Sequence, residues 1–176
     1  ARLPDDRNRP IQLTHAVFNS KDREACVSFA EKILGFRISD RTAAMSFVRC
    51  NRQHHALAYV KSESSSLNHL AFEMKDLEAV MLGIGRMRDR HVPLVWGPGR
   101  HGPGNNVFAY FAGPEEFPLE YTGEVQQIDD SYVPHGPEYW KWPPGRGDQW
   151  GVTNPHTPRW KRIQEMMPFT PGAWKL

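Results

Sequence analysis

Two histidines and one glutamate stand where a metal site could form. His15 and His69 each end a Leu-x-His triplet, and Glu120 interrupts the otherwise apolar segment Pro-Leu-Glu-Tyr. A lone carboxylate on a core strand is costly unless it is paired or bound to a cation. Two imidazoles and one carboxylate form the facial ligand set of non-haem Fe(II) oxygenases, which leaves coordination positions open. The residue types therefore predict a metal site with His15, His69 and Glu120 as its ligands.

A repeated segment brings the two histidines into register. Residues 13–25 align with residues 67–79 at a constant offset of 54, and seven of the thirteen aligned positions are identical. Such self-similarity indicates an internal duplication. Matched positions on the first strands of two duplicated units face the same interior, so both imidazoles are expected to converge on one point.

The elements that must position these residues follow from the same repeat. Each copy is predicted to begin with a strand, at 12–18 and 67–72, and to continue into a helix N-capped by Asp22 or Asp76. Apolar residues recur at helical spacing in both helices, which are expected to stop at Gly35 and near His91. Shorter strands are predicted at 43–48, 57–60, 92–96, 107–111 and 119–121. The unit is β-α-β-β-β, used twice.

The predicted fold class is α+β, with two paired βαβββ modules that form an incomplete barrel around a metal. We divide the chain into a lead-in segment (1–10), a first module (11–62), a second module (63–130) and an irregular C-terminal arm (131–176). Four side chains on apolar faces are expected in the core rather than against substrate, namely Phe29, Phe47, Met81 and Met87. Three histidines outside any motif are expected on the surface or in the arm, namely His91, His135 and His156.

The C-terminal arm has an unusual composition. It holds 8 of the 15 prolines and 5 of the 6 tryptophans, Trp140, Trp142, Trp150, Trp160 and Trp174. Disordered segments avoid aromatic residues, so we expect the arm to wrap over the modules, with one short helix near 159–167. Anchored tryptophans in such an arm are expected to close a pocket or to bury a dimer face, and we expect a homo-oligomer.

Composition excludes several classes of function. The 176 residues carry a net charge of only +2 and no Lys/Arg stripe, so nucleic acid is not an expected partner. No apolar run approaches the ~20 residues of a membrane span, and no signal-peptide core is present, which predicts a cytoplasmic protein without membrane contact. Cys26 and Cys50 are not in a CxxC motif, so a disulfide framework is not expected. The chain opens on Ala1, which predicts a processed chain or a piece of a larger one.

The chain resembles the type I extradiol ring-cleaving dioxygenases of the vicinal-oxygen-chelate superfamily. The most specific stretch is the Gly-x-His at 99–101, followed by Tyr110, Pro114 and Glu120. The His-His-Ala-Leu-Ala segment at 54–58 is similar to the family's His-His-Thr-Leu-Ala strand. The triplets that end in the two matched histidines look like the family's metal-histidine strands, and the resemblance runs from about residue 11 to 125.

The resemblance implies a cofactor, substrates and roles. It implies Fe(II), with Mn(II) possible, and a small aromatic diol and O₂ as substrates of ring cleavage beside the diol. His55 looks like the family's acid/base histidine, for which a neutral imidazole is suited. His101 and Tyr110 would hydrogen-bond the hydroxyl oxygens of the diol and help to ionise one of them. His54 is expected to point to the opposite face of the strand that carries His55.

Two other functions of the same fold remain as alternatives. Glyoxalase I-like isomerases take two metal ligands from each module, whereas aligning 56–59 with 118–121 places Ala58 at the mate of Glu120. Three ligands rather than four disfavour the isomerase. Metal-free small-molecule binding or resistance proteins have no need of two matched histidines. Many family members carry a further pair of modules, so the chain is either a one-pair enzyme or the C-terminal half of a longer one. The arm and the loop at 102–106 are expected to select the ring substituents of the substrate.

Overall fold

A computed structural model describes residues 9–169, which form one mixed sheet with helices packed against both of its faces. The α-helices of this region are α1 (Arg23–Lys32), α2 (Leu77–Asp89) and α3 (Pro158–Ile163), and a short 3-10 helix covers Pro114–Glu116. The strands are β1 (Gln12–Ser20), β2 (Arg37–Arg41), β3 (Met45–Arg49), β4 (Leu57–Lys61), β5 (Ser66–Glu73), β6 (Leu94–Arg100), β7 (Val107–Ala112), β8 (Pro118–Gly123) and β9 (Met167–Pro168).

The sheet has a repeated topology. Its strand order is β2-β3-β4-β1-β5-β8-β7-β6, and β9 pairs with β5. The two central strands, β1 and β5, are antiparallel, and each runs parallel to the last strand of its own unit, β4 or β8. The α+β prediction with paired βαβββ units is therefore confirmed, and the sheet remains open rather than closing into a barrel. The boundaries assigned to the two modules stay predictions.

Both predicted helix starts are confirmed by their caps. The Asp22 carboxylate accepts a hydrogen bond from the Ala25 amide at 2.9 Å, and Asp76 accepts one from the Ala79 amide at 2.8 Å. These bonds satisfy backbone N–H groups that have no partner within the helix. α1 ends at Lys32 and the chain then turns through Gly35, whose φ of +72° suits a residue without a β-carbon.

Strand β2 has no counterpart among the predicted strands. Its sequence, Arg-Ile-Ser-Asp-Arg, lacks apolar alternation because its polar groups are bonded inside the protein. The Arg49 guanidinium donates to the Ile38 carbonyl at 3.0 Å and to the Ser39 hydroxyl at 3.2 Å, and Asp40 is fully buried. The helix in the arm, α3, is shorter than predicted and is followed by the short strand β9.

Alternation along β7 separates the helix side of the sheet from the inner side. Phe111 packs with Tyr121 against Val80 of α2. Tyr110, the preceding residue of the strand, points the other way and packs with Trp160 of the arm. Because successive side chains of a strand face opposite sides, this register places Tyr110 on the concave inner face of the sheet.

Two of the four predicted core residues lie elsewhere. Phe29 is 54% exposed and Met81 is 47% exposed, so the prediction is wrong for both. The inward face of α1 is taken by Val27 and Ala30, and a residue two positions from Val27 on a helix points away from it. Met87 does pack against the core. Phe47 is buried as expected, but it lines a cavity.

The arm is irregular apart from α3 and β9, and its tryptophans are anchored. Trp160 is buried, Trp150 packs against the core beside α2, and Trp140 and Trp142 line the inner cavity. Trp174 lies outside the described residues. None of the described helices has the length and apolar character needed to cross a membrane.

Candidate metal centre

Three adjacent strands bring the predicted ligands together. His15 on β1, His69 on β5 and Glu120 on β8 are all buried, and one ligand atom from each lies within 4.8 Å of the other two. The Nε2 atoms of His15 and His69 lie 3.1 and 3.0 Å from the same Glu120 oxygen, Oε2. The pairing of β1 with β5 produces this convergence. His15 lies opposite Ala71 and His69 lies opposite Val17, so the two histidines stand on neighbouring strands close to each other.

The hydrogen bonds of His69 show that this cluster fits a cation. The Asn68 side-chain oxygen lies 2.7 Å from His69 Nδ1, and it also accepts from Gln164, while the Asn68 amide nitrogen donates to Asn19. An amide oxygen can only accept, so Nδ1 of His69 carries the proton and Nε2 keeps its lone pair. That lone pair faces a carboxylate oxygen at 3.0 Å with no proton between them, an unfavourable contact that a bound divalent cation would relieve.

The charges of the cluster are tuned by burial and by its members. Burial alone would raise the pKa of Glu120, but the neighbouring imidazole of His15 outweighs it and holds that pKa well below its usual range. Burial lowers the pKa of His69, against the opposing effect of Glu120. A carboxylate that stays ionised and an imidazole that stays neutral are the protonation states that bind a metal ion.

His55 lies beside the cluster. Its ring centroid is 4.3 Å from that of His15, and the residue is buried. Burial, followed by the neighbouring His15 and His54, lowers the pKa of His55 well below its usual value. Gly104 permits this packing, because its φ is +80° and a β-carbon there would lie 3.1 Å from the ring.

His101 and Tyr110 form the opposite wall. His101 Nε2 lies 2.9 Å from the Tyr110 hydroxyl and 3.9 Å from Glu120 Oε1. Burial lowers the pKa of His101 to about 4, whereas burial and the Glu120 charge raise the pKa of Tyr110 well above its usual value. Both side chains are therefore neutral near pH 7. Trp96 stacks on Tyr110 at 5.2 Å between ring centroids and holds it in place.

The expectation that His54 faces away from His55 is wrong. Both residues precede β4, so strand alternation does not apply to them, and their Nδ1 atoms lie 3.1 Å apart. His54 Nε2 lies 2.8 Å from Asp40 Oδ2. His135, expected as a surface or arm residue, lies in the arm but is partly buried, and its Nδ1 lies 3.4 Å from Asp40. His91 and His156 are exposed, as expected.

A cavity of about 480 Å³ opens next to the cluster and contains His55, His101 and Tyr110 in its wall. Its apolar lining comes from both the sheet and the arm, and includes Val17, Met45, Phe47, Val60, Trp140 and Trp142. A largely apolar cavity with a few converging polar groups is typical of a small-molecule site.

Three residues of the site were missed in the sequence. Asn68 orients His69, Asp40 binds His54, and Trp96 packs on Tyr110. Only Asn68 could have been noticed in the sequence, because it directly precedes a matched histidine and differs from Thr14, the residue at the same position of the first repeat. In the structure, Thr14 donates a hydrogen bond to Gln53 and does not bond a histidine. The partners of Asp40 and Trp96 are distant in the sequence.

Comparison with known proteins agrees with this architecture. Residues 12–121 match the Glyoxalase/Bleomycin resistance protein/Dioxygenase superfamily. The chain is 30% identical to metapyrocatechase 2 of Cupriavidus necator, over 77% of this chain and 41% of that protein. It is 28% identical to an iron-dependent extradiol dioxygenase of Rhodococcus jostii (strain RHA1), over 67% of this chain and 45% of that protein.

A solved structure is similar over most of the chain. The Mn(II)-bound glyoxalase from Novosphingobium aromaticivorans is 35% identical, with a TM-score of 0.75, over 86% of this chain and 50% of that one. The chain thus spans about half the length of the relatives it matches, or less. Because the sequence match extends from β1 into β8, it includes all three residues of the cluster, and the chain belongs to the Glyoxalase/Bleomycin resistance protein/Dioxygenase superfamily.

Proposed function

We propose that the protein is an extradiol dioxygenase that opens the ring of a catechol-type substrate beside its diol. The observation that carries this proposal is the ligand set, two imidazoles and one carboxylate, with three further polar side chains at its edge. Three protein ligands leave positions for both oxygens of a diol and for O₂, which is what this chemistry needs. The named dioxygenase relatives support the same reaction.

Fe(II) is the proposed metal, with Mn(II) as the second choice. The relative from Rhodococcus jostii is named as iron-dependent, whereas the structural neighbour is Mn(II)-bound. His15, His69 and Glu120 would hold either ion, since imidazole and carboxylate suit both. When bound, the ion supplies Lewis acidity that favours ionisation of the diol and brings both substrates together.

The side chains around the cluster have separate roles in this proposal. Tyr110, neutral because of its raised pKa, donates a hydrogen bond to one hydroxyl oxygen of the diol. His101, whose Nε2 lies 2.9 Å from the Tyr110 hydroxyl, forms a hydrogen bond with the second hydroxyl oxygen. His55 is neutral and accepts a proton from the diol, then returns it to the product. Both atoms of O₂ enter the product, one carbon–carbon bond breaks, and the diol supplies all the electrons that reduce O₂.

The cavity sets the class of substrate. A volume of about 480 Å³ exceeds what a bare catechol fills, and its apolar lining from Val17, Phe47 and Trp142 favours a diol with an apolar ring substituent. Apolar surface contributes roughly 25 cal/mol for each Å² that it buries on binding. We therefore expect substituted or bicyclic diols to be better substrates than catechol.

A glyoxalase-like isomerase is the second candidate, because a glyoxalase is the 35% identical structural neighbour. Such a site takes two ligands from each unit, and the structure can be compared at the matched position. In the second unit, Ala71 of β5 pairs with Glu120 of β8. At the matched position of the first unit, Val17 of β1 pairs with Ala58 of β4. The first unit thus presents a methyl group where the second presents a carboxylate, and the described residues offer three ligands.

Oxygen consumption tests the proposal directly. Protein loaded anaerobically with Fe(II), and separately with Mn(II), is mixed with catechol, 3- and 4-substituted catechols, a bicyclic diol and a trihydroxybenzene. We expect one molecule of O₂ to be consumed per diol, with a new yellow absorbance from the ring-opened product. A metal-loaded protein that consumes no O₂ with any diol would contradict the proposal, and isomerisation of a glutathione hemithioacetal would then favour the second candidate.

Two variants separate the proposed roles from metal binding. His55→Gln and Tyr110→Phe leave the ligand set intact, so we expect normal metal content in both variants. We expect kcat of His55→Gln to fall roughly 10²- to 10⁴-fold, because this variant loses acid–base catalysis. Tyr59→Phe is the matched control, because Tyr59 is buried in the core on the helix side of the sheet. Full activity of His55→Gln would show that the base lies elsewhere.

A further inference from the structure

A second buried polar cluster lies behind the proposed base. His54 and Asp40 are both fully buried, and neither belongs to the metal cluster. His54 uses both ring nitrogens, since Nε2 lies 2.8 Å from Asp40 Oδ2 and Nδ1 lies 3.1 Å from His55 Nδ1. Buried polar groups that are fully bonded fix one another's orientation, so the arrangement is specific rather than incidental.

Asp40 also forms hydrogen bonds with groups other than His54. The backbone N–H of His135 donates to Oδ1 at 2.7 Å, and the Tyr132 hydroxyl lies 3.1 and 3.0 Å from the two carboxylate oxygens. Hydrogen bonds to a carboxylate stabilise its charged form. Both donors come from the arm, so the arm as well as His54 fixes the orientation of Asp40.

The positions of the protons follow from what each atom can do. The Asp40 carboxylate accepts hydrogen bonds from Tyr132 and His135, and it lies 2.8 Å from His54 Nε2, which places a proton on that nitrogen. A singly protonated His54 then has a lone pair on Nδ1. That lone pair accepts a hydrogen bond only if His55 carries its own proton on Nδ1. The lone pair of His55 is then on Nε2, and His55 is one of the residues that line the cavity.

We propose that Asp40 and His54 are positioning residues that hold His55 in the tautomer whose Nε2 can accept a proton from the substrate. The inference rests on the proposed function only where it names His55 as the base; the tautomer itself is a property of the metal-free protein. The arm contributes through Tyr132 and His135, so its role extends from the cavity wall to the orientation of Asp40.

The tautomer can be read without any reaction. Long-range ¹H–¹⁵N spectra of the ¹⁵N-labelled, metal-free protein distinguish a protonated from an unprotonated ring nitrogen, and His55→Gln assigns the His55 signals. We expect the Nδ1–H tautomer for His55 and the Nε2–H tautomer for His54. The Nε2–H tautomer for His55, or a doubly protonated His54 at pH 7.5, would overturn the inference.

Asp40→Asn tests the chain of hydrogen bonds that runs from Asp40 through His54 to His55. The new amide can donate to His54 Nε2, which moves the proton of His54 to Nδ1 and that of His55 to Nε2. We expect the His55 spectrum to switch tautomer, and kcat of the metal-loaded enzyme to fall roughly 10²- to 10⁴-fold with unchanged metal content. Asp130→Asn, which changes an exposed aspartate in the same way, should change neither.

The outcomes separate the two proposals. An Asp40→Asn protein with the wild-type tautomer and wild-type kcat would overturn the positioning role. If Asp40→Asn does not fold, His54→Leu removes the acceptor of the His55 proton and should give His55 signals of both tautomers; retention of the pure Nδ1–H tautomer would overturn the inference. A wild-type protein that consumes no O₂ would contradict the proposed function, while the spectra would still decide the tautomer.

Discussion

Asn68 Oδ1 lies 2.7 Å from His69 Nδ1 and thereby determines which nitrogen of that ring faces Glu120. The amide is itself held, because its nitrogen donates to Asn19 Oδ1 at 2.8 Å and its oxygen also accepts from Gln164 at 3.2 Å. Residues that hold a metal-binding histidine in one tautomer raise its basicity and remove the cost of orienting it when the metal binds.

Substitution of Asn68 by alanine is expected to weaken metal binding without removing a ligand. His69 would lose the acceptor that fixes its Nδ1 proton, so we expect metal affinity to fall about 10- to 100-fold. Competition between the protein and a chelator for Mn(II) measures this affinity. Asn154→Ala is the control, because Asn154 is exposed and its side chain caps only the local turn at His156. Equal affinities in the two variants would contradict this role of Asn68.

Removing the charge of Glu120 is expected to abolish the response of stability to metal. A ligand that binds only the folded state stabilises it by about 2.7 kcal/mol when its concentration is 100 times its Kd. We expect added Mn(II) to raise Tm of the wild-type protein progressively and to leave Tm of Glu120→Gln almost unchanged. Differential scanning calorimetry at several metal concentrations measures this, with exposed Glu63→Gln as control. A wild-type-like shift in Glu120→Gln would remove Glu120 from the ligand set.

The parts of the site that the sequence reveals are those with local or repeated signals. His15 and His69 share a register because the chain is duplicated, and Glu120 stands out because an apolar strand surrounds it. The helix caps at Asp22 and Asp76 are local contacts of three residues and are equally visible.

The remaining features depend on contacts between residues that are distant in the chain. Asp40 meets His54 and Tyr132 only in the folded protein, and β2 has no apolar pattern because its polar groups find buried partners there. The exposure of Phe29 likewise depends on which face of α1 meets the sheet. The apolar residues of α1 are spread over more than one side of the helix, so the sequence alone allows more than one orientation.

Two glycines of α2 are expected to respond oppositely to alanine. A β-carbon on Gly83 would lie 2.9 Å from the Tyr121 ring, whereas nothing lies within 4 Å of a β-carbon on Gly85. Gly85→Ala should stabilise the protein by about 0.5–1 kcal/mol, because glycine is unfavourable inside a helix. Gly83→Ala should destabilise it, since overpacking costs about 1–3 kcal/mol and exceeds that gain. Urea denaturation measures both, and stabilisation by Gly83→Ala would show that Tyr121 moves freely.

A methyl group at Gly102 is expected to displace the arm from the cavity. Its β-carbon would lie 2.4 Å from the Trp142 ring and 2.9 Å from the Trp140 ring, and both rings line the cavity. Either the arm or the sheet must shift to make room for the methyl group. We expect the arm to shift, because few backbone hydrogen bonds hold the segment 139–143 to the rest of the protein. Lys141, between the two tryptophans, would then become a better site for trypsin.

Mass spectrometry of timed trypsin digests measures this displacement. Cleavage after Lys141 should be faster in Gly102→Ala than in the wild type, by about tenfold for each 1.4 kcal/mol by which the methyl group destabilises the closed arm. Gly85→Ala is the control, because it adds the same methyl group where no atom opposes it. If the arm forms the cavity wall for substrate, the same variant should raise KM for a substituted diol more than for catechol, because only the substituent reaches the displaced tryptophans. Equal cleavage rates with an altered KM would instead place the strain in the loop at 102–106.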